Sequence, residues 1–155
     1  MNDPISRREL LARGAAATLG AVALPLFRIA APPPVPMMVY KDPGCGCCEK
    51  WVGIMKTSGF TVSVENTTGM PAIKRRYGVG DDLASCHTAL VGGYIIEGHV
   101  PADVIHRLLE KKPKVKGLVV PGMVIGSPGM EGNPKQAYDV LTFDAAGHTT
   151  VYEKR

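Results

Sequence analysis

Four cysteines are the residues of this chain best suited to chemistry. Cys45, Cys47 and Cys48 stand together in the turn Asp42-Pro43-Gly44-Cys45-Gly46-Cys47-Cys48, and Cys86 follows in Ser85-Cys86-His87-Thr88. Cys45 and Cys48 have C-x-x-C spacing, with Cys47 inserted between them. On a turn that leads into a helix these sulfurs converge, and the partial positive charge of the helix N-terminus stabilises thiolate. Thiolates are soft ligands that suit Cu(I), zinc or an iron–sulfur cluster. Zinc fits less well, because its usual ligand spacing leaves two to four residues between cysteines. A second chemistry is open to the same residues. Cys45 and Cys48 can act as a redox disulfide, with Cys45 the nucleophile and Cys48 the resolving thiol. Cys47 and Cys86 are then passengers.

Other side chains are candidate additional ligands. His87 adjoins Cys86, and residues adjacent in a strand face opposite ways, so its imidazole either approaches the sulfurs or sits in the interior. His99 precedes Val100-Pro101, where it serves a helix start or reaches the metal. Met123 and Met130 each end a Pro-Gly-Met triplet. Thioethers suit Cu(I), whereas the bland role of such a methionine is to plug a loop onto a core. His106 and His148 read as structural.

The elements that must position these residues follow from periodicity. Pro36–Tyr40 is short and apolar and reads as a first strand. A helix is expected from Cys48 to Ser58, with Trp51, Ile54 and Met55 on one face and Gly59 as its stop. Phe60–Glu65 alternates apolar and polar as a strand does. Pro71 opens a short helix, Ala72–Tyr77. Ala89–Val91 and Tyr94–Glu97 flank Gly92-Gly93, a tight-hairpin signal. Pro101–Leu109 predicts a third helix. The order is β-α-β-α-β-β-α, that of the thioredoxin and glutaredoxin core. The fold class expected is therefore α/β and thioredoxin-like. Residues 117–155 are expected outside that core, with a loop over Val119–Gly132 and a β-hairpin of Tyr138–Phe143 and Thr149–Tyr152. In a thioredoxin-like fold the loop before the third strand lies beside the C-x-x-C turn and usually carries a cis-proline. This chain has Cys86 and His87 there, so Cys86 is expected to complete a four-sulfur site.

The N-terminus reads as an address. Ser6-Arg7-Arg8-Glu9 precedes an apolar, Ala-rich run from Ala12 to Leu26, in the manner of a twin-arginine export signal. At about 15 residues the run is short for a membrane span. Residues 1–31 are read as signal, 32–36 as a Pro-rich linker and 37–155 as the metal-binding domain. Export implies the periplasm, an oxidising compartment where cysteines pair or bind metal. Membrane contact is expected only through the signal.

Without residues 1–31 the chain keeps 14 basic and 12 acidic residues. An excess of two charges is too small to make nucleic acid the partner. Lys111, Lys112, Lys114 and Lys116 read as a solvated helix end. There is no glycine-rich nucleotide motif and no arguable Ser-His-Asp set.

The segments Cys45-Gly-Cys-Cys48, Ser85-Cys86-His87-Thr88, Glu97-Gly98-His99-Val100-Pro101, Val120-Pro121-Gly122-Met123 and Gly126-Ser127-Pro128-Gly129-Met130-Glu131 together resemble the CopG-type copper-resistance proteins. The resemblance covers about residues 37–153. It implies a periplasmic copper role in homeostasis or resistance, with copper ions and other periplasmic copper-handling proteins as partners. Cys45, Cys47, Cys48 and Cys86 would hold Cu(I), with room for more than one ion bridged by thiolates and for redox activity. The alternative is a thiol–disulfide oxidoreductase using Cys45 and Cys48.

Overall fold

Val35–Lys41 is the first strand, β1, and it buries every second side chain, Met37, Val39 and Lys41. The period of two puts these residues on one face of a sheet. The computed structural model describes residues 33–155, so the segment read as an export signal lies outside the described residues. Helix α1, Gly46–Thr57, follows β1 and buries Cys48, Trp51, Val52 and Met55. Their i, i+3, i+4, i+7 spacing forms one apolar stripe. Next come β2 (Phe60–Asn66), α2 (Met70–Arg76), β3 (His87–Val91), β4 (Tyr94–Glu97) and α3 (Ala102–Lys111). This is the expected β-α-β-α-β-β-α order, with bounds shifted by one or two residues at most ends.

Strands β5 (Gly117–Val119), β6 (Asp139–Phe143) and β7 (Thr149–Lys154) complete one seven-stranded sheet of order β2-β1-β3-β4-β5-β6-β7. β1 runs parallel to β2 and antiparallel to β3, and β4 runs parallel to β5. The fold is mixed α/β, as expected, and the C-terminal hairpin is present. The extension differs from expectation in one respect. It is not a separate hairpin, because β5 pairs with both β4 and β6 and carries the hairpin into the main sheet. Three residues are too few for a readable alternation, so β5 exists through its two neighbours. Gly117 allows the pairing, since a Cβ there would lie 1.8 Å from the carbonyl oxygen of Ile95.

The main core fills the space between one sheet face and helices α1 and α3, with Val39, Trp51, Met55, Ile96, Ile105 and Leu108 all buried. A smaller cluster of Val79, Leu83, Ile95, Val119 and Phe143 covers the other face. Ile95 and Ile96 are neighbours in β4 and serve opposite faces, as a strand requires. No helix among the described residues is long and apolar enough to cross a membrane.

Candidate metal centre

The turn between β1 and α1 is held by Asp42. Its carboxylate accepts from the N–H of Gly44 at 2.8 Å, and its carbonyl accepts from the N–H of Cys45 at 3.1 Å. This Asx turn sets Cys45 at the N-cap of α1, with Cys47 and Cys48 in the first helical turn. Cys45 and Cys47 are half-buried, and Cys48 faces the core with no exposed surface.

Cys45 and Cys48 are joined as a disulfide, and Cys47 and Cys86 are free thiols. Cys47 Sγ lies 3.5 Å from Cys45 Sγ and 3.7 Å from Cys86 Sγ. All four sulfurs fall within 4.8 Å of one another. Two thiolates on one ion with metal–sulfur bonds near 2.3 Å stand about 3.8 Å apart in a tetrahedral shell. The donor set therefore fits a soft metal ion once the Cys45–Cys48 bond is reduced. Burial, followed by the hydrogen bond and charge of Cys47, pushes the Cys86 thiol up to about 12. A cation at the site would reverse that preference by drawing off the proton.

Cys86 is placed by its neighbours on both sides. Glu97, at the end of β4, is fully buried and accepts from the N–H of Ser85 at 2.7 Å and from the hydroxyl of Thr88 at 2.7 Å. Lys74 of α2 completes the group with an ion pair to the same carboxylate. Ser85 also donates its hydroxyl to the carbonyl of Gly122, and the two residues form an isolated parallel bridge. Gly98 makes room for this arrangement. Its φ is +73°, and a Cβ would lie 2.6 Å from the carbonyl oxygen of Val120 and 2.4 Å from Ser85 Oγ.

The loop after β5 thus belongs to the site. Besides the Ser85–Gly122 bridge, His99 contacts the carbonyl of Pro128 at 2.7 Å. A carbonyl only accepts, so the proton sits on Nδ1 of His99. Gly129 rests directly on α1, where a Cβ would come within 2.8 Å of the carbonyl oxygen of Cys47. Glu131 closes the loop by accepting from the N–H of Gly129 at 2.9 Å. Backbone N–H groups hold its carboxyl below the usual range.

Beneath α1 lies a stack of three rings. Trp51 and His87 have centroids 4.3 Å apart, and His87 meets His99 edge-on at 5.0 Å. Trp51 donates its indole N–H to the carbonyl of Val100 at 2.9 Å. Both histidines are fully buried, and no described residue hydrogen-bonds either nitrogen of His87 or Nε2 of His99. Burial pushes both imidazoles below their ordinary pKa, and for His87 the charges of His99, Lys74 and Lys41 add to the shift. They are therefore neutral at pH 7. His87 points into the interior, and the group of four closely spaced ligand atoms contains only the cysteine sulfurs.

The remaining candidates are placed as follows. Met123, next to the Ser85–Gly122 bridge, is 63% exposed, and Met130 is half-buried. His106 donates Nε2–H to the carbonyl of Ser58 at 2.8 Å and stacks on Phe60, while His148 pairs with Asp144 in the β6–β7 turn. Sequence reasoning did not single out Lys41. Its side chain is fully buried opposite His87 across β1 and β3, and its ammonium reaches Glu49 at 2.6 Å. Nor did it assign roles to Glu97, Lys74 or Thr88. A charge at an otherwise apolar strand position was the available signal for Lys41 and Glu97.

Residues 83–130 match a family described as a protein of unknown function, DUF411. That span holds Cys86, His87, His99, Met123 and Met130. A comparison with curated proteins gives no match. Two solved structures are similar. The first, titled copper resistance protein CopG, form 2, is 38% identical with a TM-score of 0.74, covering 79% of this chain and 98% of that one. Form 1 of the same protein is 37% identical, with the same TM-score and coverage. Identity at this level over nearly the whole of those chains, together with four sulfurs gathered as a metal site requires, shows that this chain belongs to the CopG copper-resistance family.

Proposed function

We propose that this protein binds Cu(I) outside the cytoplasm and serves copper homeostasis, buffering or relaying the ion for other copper-handling proteins. The observation that carries the reading is the set of four cysteine sulfurs within 4.8 Å. Cys45, Cys47, Cys48 and Cys86 are the ligands, acting as thiolates that select a soft cation. More than one ion can share the site through bridging sulfur. His99, Met123 and Met130 are further donors within this reading, whereas His87 is turned inward, onto Trp51. The scaffold is a thioredoxin-like core, supported by the element order and by the run β2-β1-β3-β4, four of the seven strands of the sheet. Residues 1–31 direct twin-arginine export to the periplasm, 32–36 act as linker, and 37–155 form the metal-binding domain.

The test is titration of the reduced, metal-free protein with Cu(I) against a competing chelator, counting bound metal. Tight, saturable binding that collapses in Cys86→Ser supports the four-cysteine site. Weak binding by a sample that rapidly reduces insulin disulfides supports the second reading, a thiol–disulfide oxidoreductase. The Cys45–Cys48 disulfide favours that alternative.

A further inference from the structure

Metal binding and the disulfide compete for the same atoms. The sulfur ligand of a soft metal is the thiolate. With Cys45 and Cys48 joined, only Cys47 and Cys86 remain as thiols. The oxidised chain therefore offers half of the proposed ligand set. An oxidising compartment keeps the bond closed unless it is actively reduced.

The two sulfurs of the bond differ in access. Cys48 has no exposed surface, whereas Cys45 is half-buried at the N-cap of α1. Gly44 and Gly46 flank Cys45, both exposed, and a Cβ on Gly46 would meet nothing within 4 Å. The approach to Cys45 is thus free of side chains from its neighbours. Met123 stands exposed beside the Ser85–Gly122 bridge, next to the loop that carries Cys86. Gly44, Cys45 and Gly46 together offer the small, unobstructed surface that a partner protein's thiol needs to reach the bond.

We infer that a dithiol reductase protein acts on this chain at Cys45, and that this reduction gates copper loading. The inference rests on the copper reading above. The partner's thiolate attacks Cys45 Sγ, and the Cys45–Cys48 bond breaks. Cys48 leaves as thiolate at the first turn of α1, where the helix N-terminus favours negative charge, and then takes a proton. The partner's second thiol attacks the mixed disulfide and releases Cys45. Two electrons and two protons pass to the chain, and the partner becomes the disulfide. Cys47 Sγ, 3.5 Å from Cys45 Sγ, is the internal competitor that can resolve the mixed disulfide before the partner does.

The experiment uses the oxidised, metal-free protein and a thioredoxin whose resolving cysteine is replaced by serine. Cys47→Ser removes the internal competitor, and peptide mapping locates the trapped adduct. The expected result is an adduct on Cys45, at least tenfold over Cys48. An adduct on Cys48, or none while dithiothreitol opens the bond readily, overturns the partner contact. In parallel, the oxidised and reduced forms of the unsubstituted chain are titrated with Cu(I). Uptake by the oxidised form is expected to be below a tenth of that by the reduced form, and equal uptake overturns the gating. If neither form binds copper while the Cys45 adduct still forms, the copper reading and its gating fail and the reductase contact stands.

Discussion

The backbone N–H of Ser85 donates to the buried carboxylate of Glu97 across 2.7 Å, and the next residue is Cys86. The position of one candidate ligand is thus held by a carboxylate at the end of the neighbouring strand. Glu97→Ala removes the partner of Lys74, which is only 13% exposed, and leaves the Ser85 N–H unpaired. A loss of about 3–5 kcal/mol is expected from breaking such a buried pair. Glu97→Gln keeps an acceptor for Ser85 and should lose less. Urea unfolding of the metal-free protein measures both.

Gly129 sits at φ +84°, with Cys47 O and Trp51 N only 2.8 and 2.9 Å from where a Cβ would be. Gly129→Ala should lift the loop from α1 and cost about 1–3 kcal/mol through overpacking and backbone strain. Thermal unfolding reads the loss. Limited proteolysis should find new cleavage within residues 121–131.

Cys86 titrates near 12 because burial and Cys47 disfavour its thiolate. At pH 8 such a thiol is about one part in ten thousand ionised, against roughly a quarter for an ordinary cysteine. Iodoacetamide should therefore modify Cys86 of the metal-free, folded protein about 2,500-fold more slowly than an unperturbed thiol. The rate should rise tenfold per pH unit between pH 7 and 10, measured on the Cys86 peptide by mass spectrometry. The sign for stability follows. The folded value lies above the unfolded one, so this contribution is complete below about pH 8.5 and is lost as pH rises towards the folded value. A flat alkylation profile would show that the thiol is not held in this buried form.

Trp51 is fully buried, and its indole N–H satisfies the carbonyl of Val100. Trp51→Phe leaves that acceptor unpaired and opens space above His87. A loss of about 1–3 kcal/mol is expected, followed by circular dichroism because the chain has no other tryptophan.

Much of the core was readable because its signals are local. Of the stripe Trp51, Ile54 and Met55 expected on α1, Trp51 and Met55 are fully buried and Ile54 packs at the core's edge, and Phe60 with Val62 alternates as a strand does. The gathering of Cys86 with the other sulfurs was also anticipated, through the placement of the loop before β3. The anchoring of that loop was not. Glu97, Lys74, Thr88 and Gly122 come from four different parts of the chain, and no spacing rule joins them. The same holds for β5, whose three residues are a strand only because β4 and β6 flank them. For His87 the sequence left two orientations open. The register that sets it opposite Lys41 turns it inward, onto Trp51.

Gly129 reaches the first turn of α1 from roughly eighty residues further along the chain. Translation at about 5–20 residues per second puts an interval on the order of ten seconds between the two. During that interval the three clustered cysteines exist without the loop that lies against them, and without Cys86 for part of it. The nascent chain thus passes through a stage when its thiols are open to stray oxidants and metals. Order of synthesis, as much as the finished geometry, decides which sulfur meets which partner first.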